Sequence, residues 1–318
     1  MKPVSTKLLT KWKELYTRGE KAFPKGLWYR NFEGIRRTNI RFLYTQSELV
    51  EKAKCINDIT YFVGKYAKAR ISTGEVKPIV LRDYQKDLLR SVQDTQFNVI
   101  ESSRQTGATT MQIFDLIYRS QIKGEPCIMI GHNKNATRYL FDMYKLHYVH
   151  MPFFLKQGVQ RMSIKHIELE DNNAVVFATL DTFAQSYQSL KERGDKPVNI
   201  YISDMQFIPI SFIKPIANVI AKLDTDRIVI TGKRDKHSYI LDKIIRDAKR
   251  PFGDPSKNKF TYYPVGYYKV PGRDKKWVDM MVKTLGSYEA FKLEYDIEYP
   301  VIPRRFTDSV EIFPDERN

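Results

Sequence analysis

Residues 81–110 constrain the chain more than any other stretch. They open Leu81-Arg82-Asp83-Tyr84-Gln85, pass through an amphipathic run (83–92) and an apolar run (97–100), and close Ser103-Arg104-Gln105-Thr106-Gly107-Ala108-Thr109-Thr110. Apolar strand, turn with one glycine, then a helix-like run is the frame of a phosphate-binding loop. In that frame backbone N–H groups and a helix N-terminus cradle anionic oxygens. One residue breaks the pattern Gly-x-x-x-x-Gly-Lys-Ser/Thr. Ser102 holds the first glycine position and Gly107 the second, but Ala108 stands where lysine belongs. Thr109 keeps the hydroxyl that would reach magnesium. A methyl group cannot supply the lysine's charge on the β- and γ-phosphates.

The rest of the chain repeats strand and helix. Met111, Phe114, Ile117 and Ile122 fall near one face of a helix over 109–123, and 127–131 reads as a second buried strand. Residues 132–135 open another helix, with His132 at a strand's carboxyl end, where ligands sit in such sheets. Residues 162–170 and 174–179 alternate around Asp171-Asn172-Asn173, a hairpin signal. Strands are expected at 198–203, 227–231 and 259–265; residues 45–80 read as two short helices, the second around 59–68, and further helices are expected at 237–250, 274–284 and 286–296. This alternation predicts a mostly parallel sheet with helices on both faces.

A net charge of +16, spread along the chain, points to an extended polyanion as partner. Residues 1–44 interleave cations with aromatics and read as a partly helical basic arm outside the core. That arm either docks on a neighbouring protein or seats phosphates and bases. No run approaches the roughly 18 apolar residues of a membrane span. Cys55 and Cys127 make no metal or redox spacing, which fits a reducing cytoplasm.

Residues 104–110, reached from Tyr84-Gln85, resemble the ATPase domain of tailed-phage large terminases, the motors that pump DNA into capsids. In that family Ser-Arg-Gln often precedes Gly-Lys-Thr-Thr. The stretch Ile200-Tyr201-Ile202-Ser203-Asp204-Met205-Gln206-Phe207-Ile208-Pro209 is similar to its Walker B, which reads Ile-Tyr-Ile-Asp-Glu and then Phe-Ile-Pro. Aligned on Phe-Ile-Pro, Ser203 takes the magnesium-binding Asp position and Asp204 the catalytic Glu position. If the frame slips by one, Asp204 becomes the metal partner and Met205 stands for the base. The resemblance covers about residues 55–300, and residues 180–189 would be a long loop. It implies a P-loop NTPase-like α/β fold of the RecA/ASCE type over 45–300, with a tail at 301–318.

It also implies roles. Gln85, Ser103, Arg104, Gln105, Gly107, Thr109 and Thr110 would hold nucleotide, the Gln85 amide reading the adenine edge. Thr109 and Asp204 would hold magnesium, with Asp204 and Arg104 as the remaining catalytic candidates. Lys191, Arg193, Lys233 and Arg234 are candidates for DNA, although basic turns are commonly just solvated. Lys233 or Arg234 would alternatively lend a bound phosphate the missing cation. With the lysine and one acid gone, turnover is not expected, because phosphoryl transfer depends on placed charges. The reading is a pseudo-ATPase that binds ATP and magnesium weakly and double-stranded DNA. It would serve in packaging or virion assembly beside a separate nuclease, portal or capsid protein, in the infected bacterial cytoplasm or on the virion. Alternatives are an active motor with a rewired site and a helicase-like translocase. A nuclease domain would need on the order of 150 further residues, and none is expected here.

Overall fold

A computed structural model describes residues 26–40, 43–70, 74–194, 196–212, 226–235 and 238–297. Helix α1 (Gln46–Asn57) starts in a capping box. Glu48 N–H donates to Thr45 Oγ1 at 3.2 Å, and the Glu48 carboxylate accepts from Thr45 N–H at 2.7 Å. Asp58 caps α2 (Ile59–Tyr66) by accepting from the N–H groups of Thr60 and Tyr61. The helix expected to reach Lys68 stops at Tyr66. Ala67 has turned extended and its carbonyl takes Ile79 N–H at 3.1 Å, drawing the chain into β1 (Lys68–Arg70), paired antiparallel with β2 (Val76–Pro78).

Beyond this small ladder come α3 (Asp83–Asp94), β3 (Phe97–Ser102), α4 (Ala108–Ile117), β4 (Cys127–Gly131), α5 (Lys134–His150), β5 (Val159–Met162), β6 (His166–Leu169) and β7 (Ala174–Thr179). There follow α6 (Leu180–Lys191), β8 (Asn199–Ile202), β9 (Arg227–Gly232), α7 (Tyr239–Ala248), β10 (Thr261–Val265), α8 (Lys275–Leu285) and α9 (Tyr288–Tyr295). Strands β3 to β10 form one sheet in the order β10-β3-β9-β8-β4-β7-β6-β5. Pairing is parallel from β10 to β7 and antiparallel from β7 to β5. The expected mostly parallel, RecA-like sheet flanked by helices is what forms.

Alternation at period two sends successive strand residues to opposite faces. Met129, Phe177, Tyr201 and Val229 pack with α1 to α5, while Ile128, Ile130, Ile200, Ile202, Ile228 and Ile230 pack with α6 and α7. Both faces are covered, which is why these strands are rich in Ile and Val and have almost no exposed residue.

Two expectations fail for the same reason. Residues 180–189, expected as a long loop, are the body of α6, because Leu180, Phe183, Tyr187 and Leu190 fall on one face and pack on the sheet. The arm expected outside the core reaches into it over its described part, 26–40. Leu27, Trp28, Ile35 and Ile40 are buried, and Trp28 packs edge-on against Phe153 with centroids 5.7 Å apart. Arg36 donates to Lys156 O at 2.6 Å, and Lys156 Nζ donates back to Gly34 O at 2.8 Å. In both places buried apolar area decides the structure, against a family likeness in the first and a basic composition in the second. Residues 1–25 and 41–42 of the arm and the tail 301–318 lie outside the described residues.

For function, the decisive detail is the position of β9 between β3 and β8. Ile230 is paired with Val99 on one side and Ile202 on the other. The carboxyl ends of the loop strand, β9 and the acid strand therefore finish side by side.

Candidate functional site

At the end of β3 the chain wraps through 103–107 and enters α4 at Ala108. Gln105 and Gly107 have φ of 60° and 85°, and at Gly107 an added Cβ would lie 3.0 Å from Gln85 Nε2. Left-handed backbone and close approach together are why glycine stands there. Neighbours grip the loop by its carbonyls. Tyr84 Oη donates to Thr106 O at 2.7 Å, and the Arg273 guanidinium donates to Arg104 O at 3.0 Å and Gln105 O at 3.1 Å. Ser103 N–H donates to Val265 O at 2.9 Å, extending the pairing with β10.

The loop borders a cleft of about 660 Å³. Ser103, Arg104, Gln105, Gly107, Ala108 and Thr109 line one side, Asp204 and Gln206 another, and Thr231, Gly232 and Lys233 the wall between them. The N-terminus of α4 borders this space with no acidic residue in its first turn, leaving its positive dipole end unneutralised. Gln112, one turn further in, donates to Ile202 O at 3.2 Å and Val229 O at 2.9 Å, so α4 is tied to the end of β8 and the middle of β9.

Between the two frames for the acid strand, the geometry separates the residues. Asp204 lines the cleft from a left-handed conformation (φ 55°, ψ 50°), while the Ser203 side chain is buried and donates to Asp204 Oδ2 at 3.4 Å. The Thr109 hydroxyl and the Asp204 carboxylate are oxygen ligands of the kind magnesium takes alongside substrate phosphates. Among the described residues no three His, Cys, Asp or Glu cluster as an all-protein metal site.

Across the loop lies a second hollow of about 210 Å³, lined by Ile79, Val80, Arg82, Gln85, Thr110 and Met111 among others. Gln85 Oε1 accepts from Arg82 N–H at 3.0 Å, and its Nε2 makes a long 3.5 Å contact with Thr106 O. Val80 is 90 % exposed at the rim, an apolar surface suited to a planar base. Sequence reasoning passed over Val80, whose only signal was an extended apolar run before the Gln motif.

The DNA candidates separate. Lys233 lines the cleft. Arg234 turns away from the cleft, donating to Glu101 Oε1 at 2.6 Å, Asp242 Oδ1 at 3.3 Å and Ile297 O at 3.0 Å, and so neutralises a fully buried Glu101. Lys191 lies at the opposite, amino end of the strands, 3.2 Å from Asp226, and Arg193 bonds Glu168 at 3.3 Å. His132 does not line the cleft; its ring packs against Phe207 at 4.8 Å. Arg273, Leu293 and Glu294 belong to the site and had no sequence signal, because they come from a distant part of the chain.

A loop at a strand's end, an acid at the end of another strand, and a third strand between them define a P-loop-type α/β fold. No protein-family model matches the chain. Among solved structures, the HK97 bacteriophage large terminase is similar with a TM-score of 0.56 at 11% identity, covering 77% of this chain and 55% of that one. An arginine-to-alanine mutant of the Thermus phage P74-26 large terminase ATPase domain gives 0.51 at 14% identity, over 70% of this chain and 95% of that domain. This chain thus spans about half the length of the HK97 protein and shares the fold of phage large terminase ATPase domains.

Proposed function

We propose that the chain is a terminase-like protein of phage DNA packaging whose nucleotide cleft keeps its shape but lacks the charges for turnover. The observation that carries the reading is Ala108. It sits in the cleft wall at the start of α4, where the loop pattern calls for lysine, inside an otherwise well-wrapped loop. Removing one placed charge from a phosphoryl-transfer site costs about 100-fold or more in rate. ATP and magnesium would bind weakly at Thr109 and Asp204, with the base toward Val80 and Gln85. Double-stranded DNA is the expected partner on grounds of the +16 charge. Portal, capsid or a separate nuclease would be the protein partners. No helix among the described residues is long and apolar enough to cross a membrane.

An active, rewired motor is the second reading, favoured by Lys233 in the cleft wall. Phosphate release with duplex DNA and magnesium-ATP separates the two. The pseudo-ATPase reading expects background rates together with salt-sensitive duplex binding; DNA-stimulated turnover would establish the rewired motor instead.

A further inference from the structure

The strand order places a lysine where the loop lacks one. Because β9 runs between β3 and β8, the residue that follows it, Lys233, stands beside the loop in the cleft wall. Its backbone is fixed there, since Lys233 N–H donates to Gln206 Oε1 at 3.2 Å. Gly232 permits this approach; a Cβ at that position would meet Leu241 Cδ2 at 2.7 Å and Gln206 Oε1 at 2.8 Å.

The ammonium of Lys233 has only carbonyls as bonded partners among the described residues: Leu293 O at 2.6 Å and Arg234 O at 3.4 Å. Partial burial pulls its pKa below the ordinary lysine value. The adjoining residue of α9, Glu294, gives its carboxylate to Arg104 at 2.8 Å, and Ser103 Oγ donates to Tyr295 O. Three consecutive residues at the end of α9 thus engage two cations and a hydroxyl of the cleft. Leu293 and Glu294 themselves line it. A helix C-terminus offers unsatisfied carbonyls and the negative end of the dipole, so this turn presents the same electrostatic character as a bound anion. Arg273 ties the same unit to the loop, its guanidinium lying 4.8 Å from the Trp277 ring and 5.6 Å from the Tyr295 ring while bonding the loop carbonyls.

We propose that Lys233 and Arg104 form a two-cation site for the polyphosphate chain of a nucleoside triphosphate, and that the last turn of α9 occupies that site as an internal competitor. This rests on the nucleotide-cleft reading above and adds both the cation that replaces the loop lysine and the element that must yield. A ligand phosphate would take the donors now given to Leu293 O and the Glu294 carboxylate, so binding and release of α9 are coupled.

The test is calorimetric titration of the full chain with magnesium-ATP and, separately, with inorganic tripolyphosphate. Glu294→Gln, which removes the competing charge, should tighten both by about three- to fivefold, the scale of an exposed ion pair. Lys233→Ala should weaken both by about 10- to 100-fold, the scale of a charge-assisted hydrogen bond, and Lys233→Arg should recover part of the loss. Adding Ala108→Lys to Lys233→Ala should restore binding, which a purely structural role for Lys233 would not produce. Equal binding by Lys233→Ala and the unaltered chain overturns the proposal, as does absence of binding in both the unaltered chain and Glu294→Gln at millimolar ligand. Tighter binding of ATP alone would locate the energy in the base hollow and overturn it too. Duplex DNA binding in the same samples reports on the packaging reading independently. Rapid hydrolysis abolished by Lys233→Ala would retire the pseudo-ATPase reading while leaving the Lys233 site standing.

Discussion

The two ends of the sheet handle charge in opposite ways. At the amino ends of the strands, Arg227 meets Asp115 at 2.7 Å, and Asp115 also accepts from Tyr201 Oη at 2.9 Å and Gln93 Nε2 at 2.6 Å. Beside it, buried Asp226 accepts from Tyr187 Oη, Val198 N–H and Lys191 Nζ. At the carboxyl ends Arg234 is likewise closed off by buried Glu101 and Asp242. But the two cations that line the cleft, Lys233 and Arg104, are met by backbone carbonyls and one half-exposed carboxylate, Glu294. The first arrangement is complete without a ligand. The second is satisfied by groups that a polyanion can displace. Partner chemistry, not the number of charges, distinguishes the closed end from the end proposed to bind.

The largest expected effect comes from breaking the complete end. Asp115→Ala strands the buried Arg227 guanidinium and should cost about 3–5 kcal/mol in urea unfolding. A loss below about 1 kcal/mol would dissolve the contrast. Next comes Ala108→Lys, which returns a cation to the loop and should tighten magnesium-ATP by about tenfold. No gain by calorimetry would mean that a side chain at position 108 does not reach the bound phosphates.

Lys156 sharpens the comparison. Like Lys233 it donates to carbonyls, Gly34 O at 2.8 Å and Val149 O at 2.9 Å, but it is buried, which pushes its pKa down to about 7. Below pH 7 the lysine is charged both folded and unfolded. Between about pH 7 and its ordinary value of 10.5 the unfolded chain binds the proton and the folded one does not, so stability rises with pH in that window. The slope should be at most about 1.4 kcal/mol per pH unit, measured by denaturant titration at several pH values, and Lys156→Met should flatten it. The smallest effect belongs to the open end. Glu294→Gln should change unfolding free energy by less than about 1 kcal/mol, since both partners of its ion pair are largely solvated. A larger loss would make α9 a structural clamp.

Most strands were readable because their apolar runs are dense and bounded by turn residues. Gly107 and Ala108 were readable because the loop is local: strand, glycine and helix start are contiguous, and the missing lysine is visible as a single substitution. Helix α6 was missed because the family likeness was given more weight than the period of Leu180, Phe183, Tyr187 and Leu190. The docking of 26–40 was missed because charge was weighed above the apolar residues Leu27, Trp28, Ile35 and Ile40.

Local order along the chain determined by itself the strand–loop–helix unit, the alternation behind the parallel sheet, and the absence of lysine at position 108, since each depends on residues within a few turns of one another. Tertiary structure alone decided that Lys233 rather than Arg234 faces the cleft, that Asp204 rather than Ser203 lines it, and that the end of α9 lies across the loop. Those outcomes depend on β9 pairing between β3 and β8, and on contacts such as that between Arg104 and Glu294. Which non-local strands pair, and which distant helix end finds a cation, is set by how whole surfaces fit, and no single stretch of sequence carries that information.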